Sequence, residues 1–388
     1  MARLPVPGSD QDQWGSILND FLAQSHASNG GLKSSVVGEQ QLADGSVSTA
    51  KLQPDSITGA KIADGTITAA KLADTLSSTS SGISSLFIFY APPNIVNGKY
   101  SDDYAAGLLS RYDDAILGGS LEDPGDAYYA STQSIIQKVA AISPSTVIWG
   151  YIDTGVTTGN LSLATIQTQI DQWLAIGAHG IFLDTFGYDY HTSRARQNSI
   201  LTYVHSKGVP AFINAWNSDD AFSSSIDATY NPTGTPTATA AGDVYLLESW
   251  VCNSDAYTAP HFTTISDIKT RGDKAAAYRS SLGIKVYATN IMLHTGTDEV
   301  TLARYFGICE GMARAWRLDG SGMGASAYSS TGADLAVAIP RFSPYRSLPK
   351  RINTPYVLNN TWTEVYASDL GITITYDPGT PTYTWQQL

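Results

Sequence analysis

The stretch TVIWGYID (146–153), LATIQTQIDQWLAIG (163–177) and GIFLDTFG (180–187) decides the fold of this chain of 388 residues. Its first and last segments are short and rich in β-branched and aromatic residues, a composition that predicts strands. The segment between them carries apolar residues at helical spacing, which predicts an amphipathic helix. Strands that alternate with helices in this way are typical of an α/β fold with a parallel sheet.

The same alternation continues on both sides of this stretch. Six further strand-like runs repeat at a spacing of roughly 30 residues, the period of a (β/α)8 barrel. They are LFIFYAP (86–92), DAILGG (114–119), VPAFINAW (209–216), DVYLLESW (243–250), KVYATNIML (285–293) and GASAYSS (324–330). We therefore predict a (β/α)8 TIM barrel over residues 86–340. A doubly wound open sheet is the alternative, disfavoured by eight strands and by the lack of a glycine-rich phosphate loop.

Composition excludes some classes of function. The net charge of −12 disfavours nucleic acid as a partner, because nucleic-acid binding needs a basic face. It is compatible with a neutral or cationic partner, such as an amino-sugar polymer, or with solubility alone. No apolar run is long enough for membrane insertion, and the first residues lack the apolar core of a signal peptide. The two cysteines and the histidines His191 and His294 lack metal-site spacing, so we expect neither a metal nor another cofactor.

Two features before the barrel predict attachment and assembly. Residues 9–26 show helical spacing of apolar residues, so we predict a helix capped by Ser9 or Asp10. Its apolar face needs a partner surface, and packing on the same chain is the alternative. Residues 42–74 repeat as DGSVSTAKL, DSITGAKI and DGTITAAKL. Each repeat is too poor in apolar residues to form its own core, so we predict that parallel copies stack in a homotrimer. A flexible linker is the alternative.

These features divide the chain into four predicted parts. They are an attachment helix (1–30), a fibrous repeat stalk with a linker (31–85), the barrel (86–340) and a C-terminal β extension (341–388). The extension contains alternating runs such as TWTEVYA and GITITYD, which predict a few terminal strands.

Polar and aromatic residues follow the apolar part of nearly every predicted barrel strand. Side chains at these strand ends form the catalytic face of such barrels. The acids Asp184 and Glu248 are the predicted catalytic pair, since two facing carboxylates can cleave a glycosidic bond. The predicted substrate-binding residues are Tyr90, Tyr151, Asp153, Tyr188, Asn214, Trp216, Trp250 and Tyr328. A strand-end acid is often only a helix cap or an ion-pair partner, and single aromatic residues more often pack than bind sugar.

Two resemblances extend this interpretation. The opening LPVPGSDQDQWGSILNDFL with ADGSVSTAKL and ADGTITAAKL resembles the N-terminal part of phage tail-fibre and tail-spike proteins. This resemblance implies a trimeric, particle-attached protein that binds a baseplate or tail protein through its N-terminal segment. GYID, GIFLD and LLES resemble spherulin-4-like proteins and the endo-α-1,4-polygalactosaminidase family of glycoside hydrolases. That family implies a catalytic pair at Asp184 and Glu248. The usual LDxxD motif is displaced here, because Thr185 to Tyr188 precede the next acid, Asp189.

Three hypotheses follow. The first is a virion or phage-like particle protein, extracellular once released, whose barrel hydrolyses a host cell-surface glycan that contains amino sugars. The second is a non-catalytic fibre that binds the glycan in the same pocket. The third is a bacterial surface structural protein. Retention of both acids favours the first over the second, and the repeat disfavours the third.

Overall fold

A computed structural model describes residues 3–29, 31–33, 83–253, 261–292 and 299–325, together with the backbone of three C-terminal strands. The chain divides into two compact units, residues 1–78 and 79–388. The repeat at 42–74, and with it the predicted trimer contact, lies outside the described residues. None of the described helices combines the length and the apolar character needed to cross a bilayer.

In the described residues of the first unit, 3–29 and 31–33, the chain forms one helix, α1 (Trp14–Leu22). It begins later than predicted, and neither Ser9 nor Asp10 caps it. The carboxylate of Asp10 instead accepts hydrogen bonds from the guanidinium of Arg3 and from the backbone of Val6. No residue of α1 is buried within the described structure, so most of its apolar side chains remain exposed there.

The second unit contains a closed barrel of eight parallel strands, which confirms the predicted fold class. Around the ring, each of the first six strands pairs with its neighbour in sequence, and the last two close the barrel. These strands are β1 (Ser84–Phe89), β2 (Asp114–Leu117), β3 (Val147–Asp153), β4 (Gly180–Asp184), β5 (Ala211–Asn214), β6 (Val244–Leu247), β9 (Lys285–Met292) and β10 (Gly320–Ala325). The last strand starts and ends earlier than the predicted 324–330.

Helices follow most strands and cover the barrel. They are α2 (Asp102–Leu109), α3 (Tyr129–Ile142), α4 (Leu163–Ala175), α5 (Arg194–Ser206), α6 (Ser218–Phe222), α7 (Ile265–Leu282) and α8 (Glu299–Ala315). Hydroxyl side chains begin several of them in the usual way. Ser162 accepts the backbone N–H of Thr165 at the start of α4, and Thr264 accepts that of Asp267 at the start of α7.

Two smaller β elements complete the second unit. The ribbon β7 (Cys252–Asn253) and β8 (His261–Phe262) lies between β6 and α7, where the sequence predicted only a connection. A C-terminal antiparallel sheet contains β11 (Thr363–Val365), β12 (Ile372–Tyr376) and β13 (Tyr383–Gln387). Its first two strands fall in the alternating runs that predicted terminal strands.

The core has two layers because successive side chains of a strand point to opposite sides of the sheet. One layer packs between strands and helices and includes Ile181, Leu183 and Ile213. The other fills the barrel interior with large side chains, and it includes Trp149, Phe182, Phe212 and Leu246. The interior is therefore packed rather than open, and the site lies above it.

Candidate active site

The alternation within each strand carries the predicted acids onto the carboxyl-end face of the barrel. Phe182 on β4 points into the barrel, so Asp184, two residues later, lies on the same side. Glu248 stands in the same relation to Leu246. The strand register puts Asp184 level with Asp153 on the neighbouring strand. The acids thus rest on the aromatic and aliphatic floor of the barrel interior.

Asn214 joins the two predicted catalytic acids. Its amide nitrogen Nδ2 donates one hydrogen bond to Asp184 Oδ1 over 2.8 Å and a second to Glu248 Oε2 over 3.0 Å. Asn214 is almost fully buried at the end of β5. Because both hydrogens of the amide are used, the side chain holds the acids at a set separation.

That separation follows from the geometry of the amide group. The two N–H bonds of a planar amide diverge by about 120°, so the bonded oxygens of Asp184 and Glu248 lie roughly 5 Å apart. Retaining glycosidases have carboxyl groups separated by about 5–5.5 Å, whereas inverting enzymes need a wider gap for water. The spacing of this pair therefore matches the retaining class.

The surroundings of Asp184 favour its protonated form. Burial, followed by the negative charge of Glu248, raises the pKa of Asp184 from 3.8 to about 6. Hydrogen bonds from Tyr151, from the backbone of Thr185 and from Asn214 oppose this shift without cancelling it. Burial and the charge of Asp184 in turn raise the pKa of Tyr151 well above its usual value, so this phenol remains a hydrogen-bond donor. One carboxyl of the pair thus holds a proton in mildly acidic solution.

The carboxylate of Asp153, a predicted substrate contact, is bound by hydrogen bonds from the protein itself. Its carboxylate accepts hydrogen bonds from the hydroxyls of Thr158 and Thr185 and from the backbone of Gly155 and Gly159. Burial by itself would raise the pKa of Asp153, but these donors together lower it. The side chain therefore fastens the loop after β3 to the residue that follows Asp184.

The backbone is strained directly after each acid. Thr185 has a φ of 54° and Ser249 a φ of 48°, in the left-handed region that non-glycine residues rarely adopt. Such conformations cost about 1–3 kcal/mol and are retained where the surroundings impose them. Thr185 is fixed by the contact of its hydroxyl with Asp153. After these turns, Phe186 and Trp250 belong to the core layer outside the barrel rather than to its interior.

The left-handed turn explains why Trp250 does not line the site. The regular alternation would place Trp250 on the same side as Glu248, and that rule underlay the prediction. The turn at Ser249 ends the alternation. Trp250 is instead fully buried, donates from Nε1 to the carbonyl of Ile268 and packs edge-on against Trp316. It is a core residue between strand and helix.

The other predicted aromatic residues lie at the site, in its surroundings or outside the described residues. Tyr90 packs edge-on against Tyr151 with ring centroids 4.9 Å apart. Tyr188, in the loop between β4 and α5, stacks on Tyr230. Trp216, two residues after Asn214, is 48% exposed. Tyr328 lies outside the described residues.

The arginines near the site are held by backbone carbonyl groups. Arg194 is buried and donates to the carbonyls of Asp220, Ala221 and Ser223. Arg196 donates to the carbonyls of Thr154 and Leu161. These contacts bind both guanidinium groups to the backbone.

Sequence reasoning missed Arg271. It lies within α7, and a single arginine in a helix carries no pattern that sets it apart. Its Nη2 donates to the carbonyl oxygen of Glu248 over 2.6 Å, and its guanidinium carbon lies 4.3 Å from the ring centroid of Trp216. It therefore connects the second acid to the exposed indole. Across the described parts of the chain, no three His, Cys, Asp or Glu side chains cluster as a metal site would require.

No protein-family model and no curated protein matches this sequence. Similar solved structures include the glycoside hydrolase domain of PelA from Pseudomonas aeruginosa, with 14% identity and a TM-score of 0.41. That match covers 65% of this chain and 98% of the other. An endo-β-N-acetylglucosaminidase from Cordyceps militaris has 13% identity and a TM-score of 0.39, covering 75% of this chain and 95% of its own. At these identities and TM-scores, the likenesses indicate nothing about function.

Proposed function

We propose that the barrel is a glycoside hydrolase with Asp184 and Glu248 as its catalytic pair. The observation that carries the proposal is the amide of Asn214, which donates to both acids above the barrel floor. The divergence of its two N–H bonds implies about 5 Å between the bonded oxygens. A pair held at this spacing, with one member protonated near pH 6, meets the requirements of retaining glycosidic cleavage.

The proposed reaction proceeds in two displacements. Asp184 gives its proton to the glycosidic oxygen as the bond to the anomeric carbon breaks, and Glu248 attacks that carbon to form a glycosyl ester. Asp184, now ionised, then takes a proton from water as the water oxygen attacks the same carbon. The ester bond breaks, Glu248 leaves as a carboxylate, and both acids return to their starting state.

The charges around the site support a neutral or cationic sugar polymer as substrate. Arg194, Arg196 and Arg271 each donate to backbone carbonyls, so each guanidinium is bound within the protein. The site presents acids and phenols instead, in a chain of net charge −12. We infer a host surface polysaccharide that contains amino sugars, in line with the resemblance to polygalactosaminidases.

The N-terminal part supports attachment to a particle. The described helix α1 presents Trp14, Leu18 and Phe21 to solvent, and such a short helix needs a partner surface to be stable. We propose that this segment binds a baseplate or tail protein, and that the repeat at 42–74 joins three copies. The barrel would then act at a host surface, carried by a virion or a phage-like particle.

A non-catalytic glycan-binding fibre is the second candidate. The observation that favours it is Trp216, whose 48% exposed indole offers a flat face to a sugar ring whether or not cleavage follows. The two candidates differ in what the acids do, so variants of the acids separate them.

The test is release of reducing ends from α-1,4-polygalactosamine and from host cell-wall polysaccharide. We expect wild type to release them, and Asp184→Asn and Glu248→Gln each to lose at least about a thousandfold in kcat. Both variants should still bind the polymer. Azide should restore cleavage by Glu248→Ala, because it attacks the anomeric carbon as Asp184 protonates the leaving oxygen, and the product is a glycosyl azide of inverted configuration rather than a reducing end. Asp184→Ala should not form this product.

Asp171→Asn is the matched control. Asp171 carries the same carboxyl group on α4, where it pairs with Lys207 away from the site. Its activity should equal that of wild type. A wild-type protein that binds the polymer and never cleaves it rejects the hydrolase in favour of the glycan-binding fibre.

A further inference from the structure

Arg271 contacts both the backbone of Glu248 and the ring of Trp216. One guanidinium nitrogen donates to the carbonyl of Glu248 over 2.6 Å, and Nη1 reaches the carbonyl of Ser249 at 3.5 Å. The guanidinium carbon lies over the ring of Trp216, 4.3 Å from its centroid. A planar guanidinium can donate in its plane and stack through its face at the same time, which an ammonium group does not do.

The position of Arg271 is set by the packing of α7. A Cβ at Gly272 would come within 2.7 Å of Trp316 Nε1 and 2.9 Å of the Trp250 ring, so glycine allows the helix to approach both indoles. Trp250 donates to the carbonyl of Ile268, and Trp316 donates to the side chain of Asp273. The helix turn that carries Arg271 is thus held by contacts with both indoles.

This arrangement leaves one face of Trp216 for a ligand. The guanidinium covers one side of the indole, yet 48% of the residue is exposed. An exposed indole two residues after Asn214 suits the apolar C–H face of a pyranose ring. The cation behind the ring holds its orientation, which reduces the freedom lost when a sugar stacks on it.

We propose that Arg271 is a positioning residue that couples a sugar-stacking platform at Trp216 to the placement of Glu248. The proposal rests on the hydrolase function proposed above, and it adds a subsite next to the cleavage point. A sugar ring on Trp216 presses the indole onto Arg271, whose hydrogen bond holds the strained turn after Glu248. Binding at the platform and attack at the anomeric carbon therefore share one side chain.

The test is a double-mutant cycle of Trp216→Ala and Arg271→Met. Binding of an α-1,4-galactosamine hexasaccharide is measured by calorimetry in the Asp184→Asn background, which prevents turnover. We expect Kd to rise about tenfold in Trp216→Ala and about fivefold in Arg271→Met. The double variant should match Trp216→Ala alone, because the arginine acts on binding through the ring.

Turnover is measured separately with Asp184 present. Arg271→Met should lower kcat at least about tenfold, because the turn at Glu248 loses its donor, whereas Trp216→Ala should mainly raise KM. Arg271→Lys, which keeps the cation and the fold, should fall between wild type and Arg271→Met. Arg279→Met is the matched control on the same helix, since Arg279 pairs with Asp319 at the other end of the barrel. It should change neither Kd nor kcat, even if it lowers Tm.

The outcomes separate this inference from the proposed function. Effects on Kd that multiply in the double variant overturn the coupling, even if wild type cleaves the polymer. A wild type that never cleaves contradicts the hydrolase, while the binding cycle still decides whether Arg271 acts through Trp216. Absence of hexasaccharide binding in the Asp184→Asn protein overturns the platform.

Discussion

Replacing Asp184 with asparagine should stabilise the protein at neutral pH while it abolishes catalysis. Burial and the charge of Glu248 raise the pKa of Asp184 from 3.8 to about 6. The folded protein therefore favours the protonated acid, and ionisation above pH 6 opposes folding. Each pKa unit corresponds to 1.36 kcal/mol, so the penalty is about 2–3 kcal/mol after allowance for partial exposure of the side chain.

The sign of the pH dependence follows from the raised pKa. In wild type this group contributes full stability below its unfolded pKa, near 4, and loses that contribution as pH rises to about 6. The asparagine side chain cannot ionise, so Asp184→Asn should equal wild type near pH 4 and exceed its Tm by roughly 5 °C at pH 7.5. Thermal unfolding at the two pH values gives the difference directly, since other groups cancel between the two proteins.

Asp171→Asn is again the control, with the opposite sign. The bonds from Lys207 and Tyr203 lower the pKa of Asp171, so its contribution is present at neutral pH and is lost as pH falls. This variant should be no more stable than wild type at pH 7.5. If Asp184→Asn shows no pH-dependent gain over wild type, the ionised acid is not opposed by its surroundings, and the argument for a shared proton is refuted.

Three further predictions concern the site and its support. The kcat/KM of wild type should fall above about pH 6, where Asp184 loses its proton. Asn214→Ala removes a donor to the ionised acid, so the pH at which kcat/KM falls should rise by about one unit. If that pH does not change, the fall belongs to another group. Gly118→Ala should lower the free energy of unfolding in urea by about 1–3 kcal/mol, because its Cβ would overlap the backbone of Tyr90. Gly107→Ala, which has open space in α2, should raise this free energy slightly. Equal effects of the two variants would contradict the close approach of Gly118 to Tyr90. Asp153→Ala should lower the free energy of unfolding by about 3 kcal/mol at pH 7, because the donors of its loop lose their acceptor. This loss should shrink as pH falls through the lowered pKa of Asp153. A loss that is constant with pH would rule out the ionised side chain as its cause.

The alternation of strand residues made much of the face predictable from sequence. Phe182 and Leu246 are apolar residues of the barrel interior, and counting two residues onward reaches Asp184 and Glu248. This rule needs only the strand assignment, which was correct for β4 and β6. It also predicts the place of Asn214, because β5 follows the same pattern.

The same rule fails where the backbone leaves the strand. Ser249 adopts a left-handed conformation that no serine signals in advance, and Trp250 therefore turns into the core. The bounds of the last barrel strand were also predicted incorrectly. Its residues Gly320–Ala325 are glycine-rich and weakly apolar, so the β pattern looked stronger a few positions later.

Contacts between distant parts of the chain could not be predicted from the sequence. The amide of Asn214 bridges two acids because three strands end at matching positions along the barrel axis. The types of the residues do not encode this alignment. Arg271 reaches Glu248 only because Gly272 brings α7 close to two tryptophans. Such pairs arise from tertiary packing, and a single sequence holds no periodic signal for them.

The most direct test of the catalytic pair is the anomeric configuration of the first product. Proton NMR during cleavage of α-1,4-polygalactosamine resolves the two forms of a new reducing end before they interconvert. Two carboxyl groups about 5 Å apart predict an α product, with the configuration of the cleaved bond retained, and none from Glu248→Gln. A β product, or an α product formed equally well by Glu248→Gln, would contradict the assignment of Asp184 and Glu248.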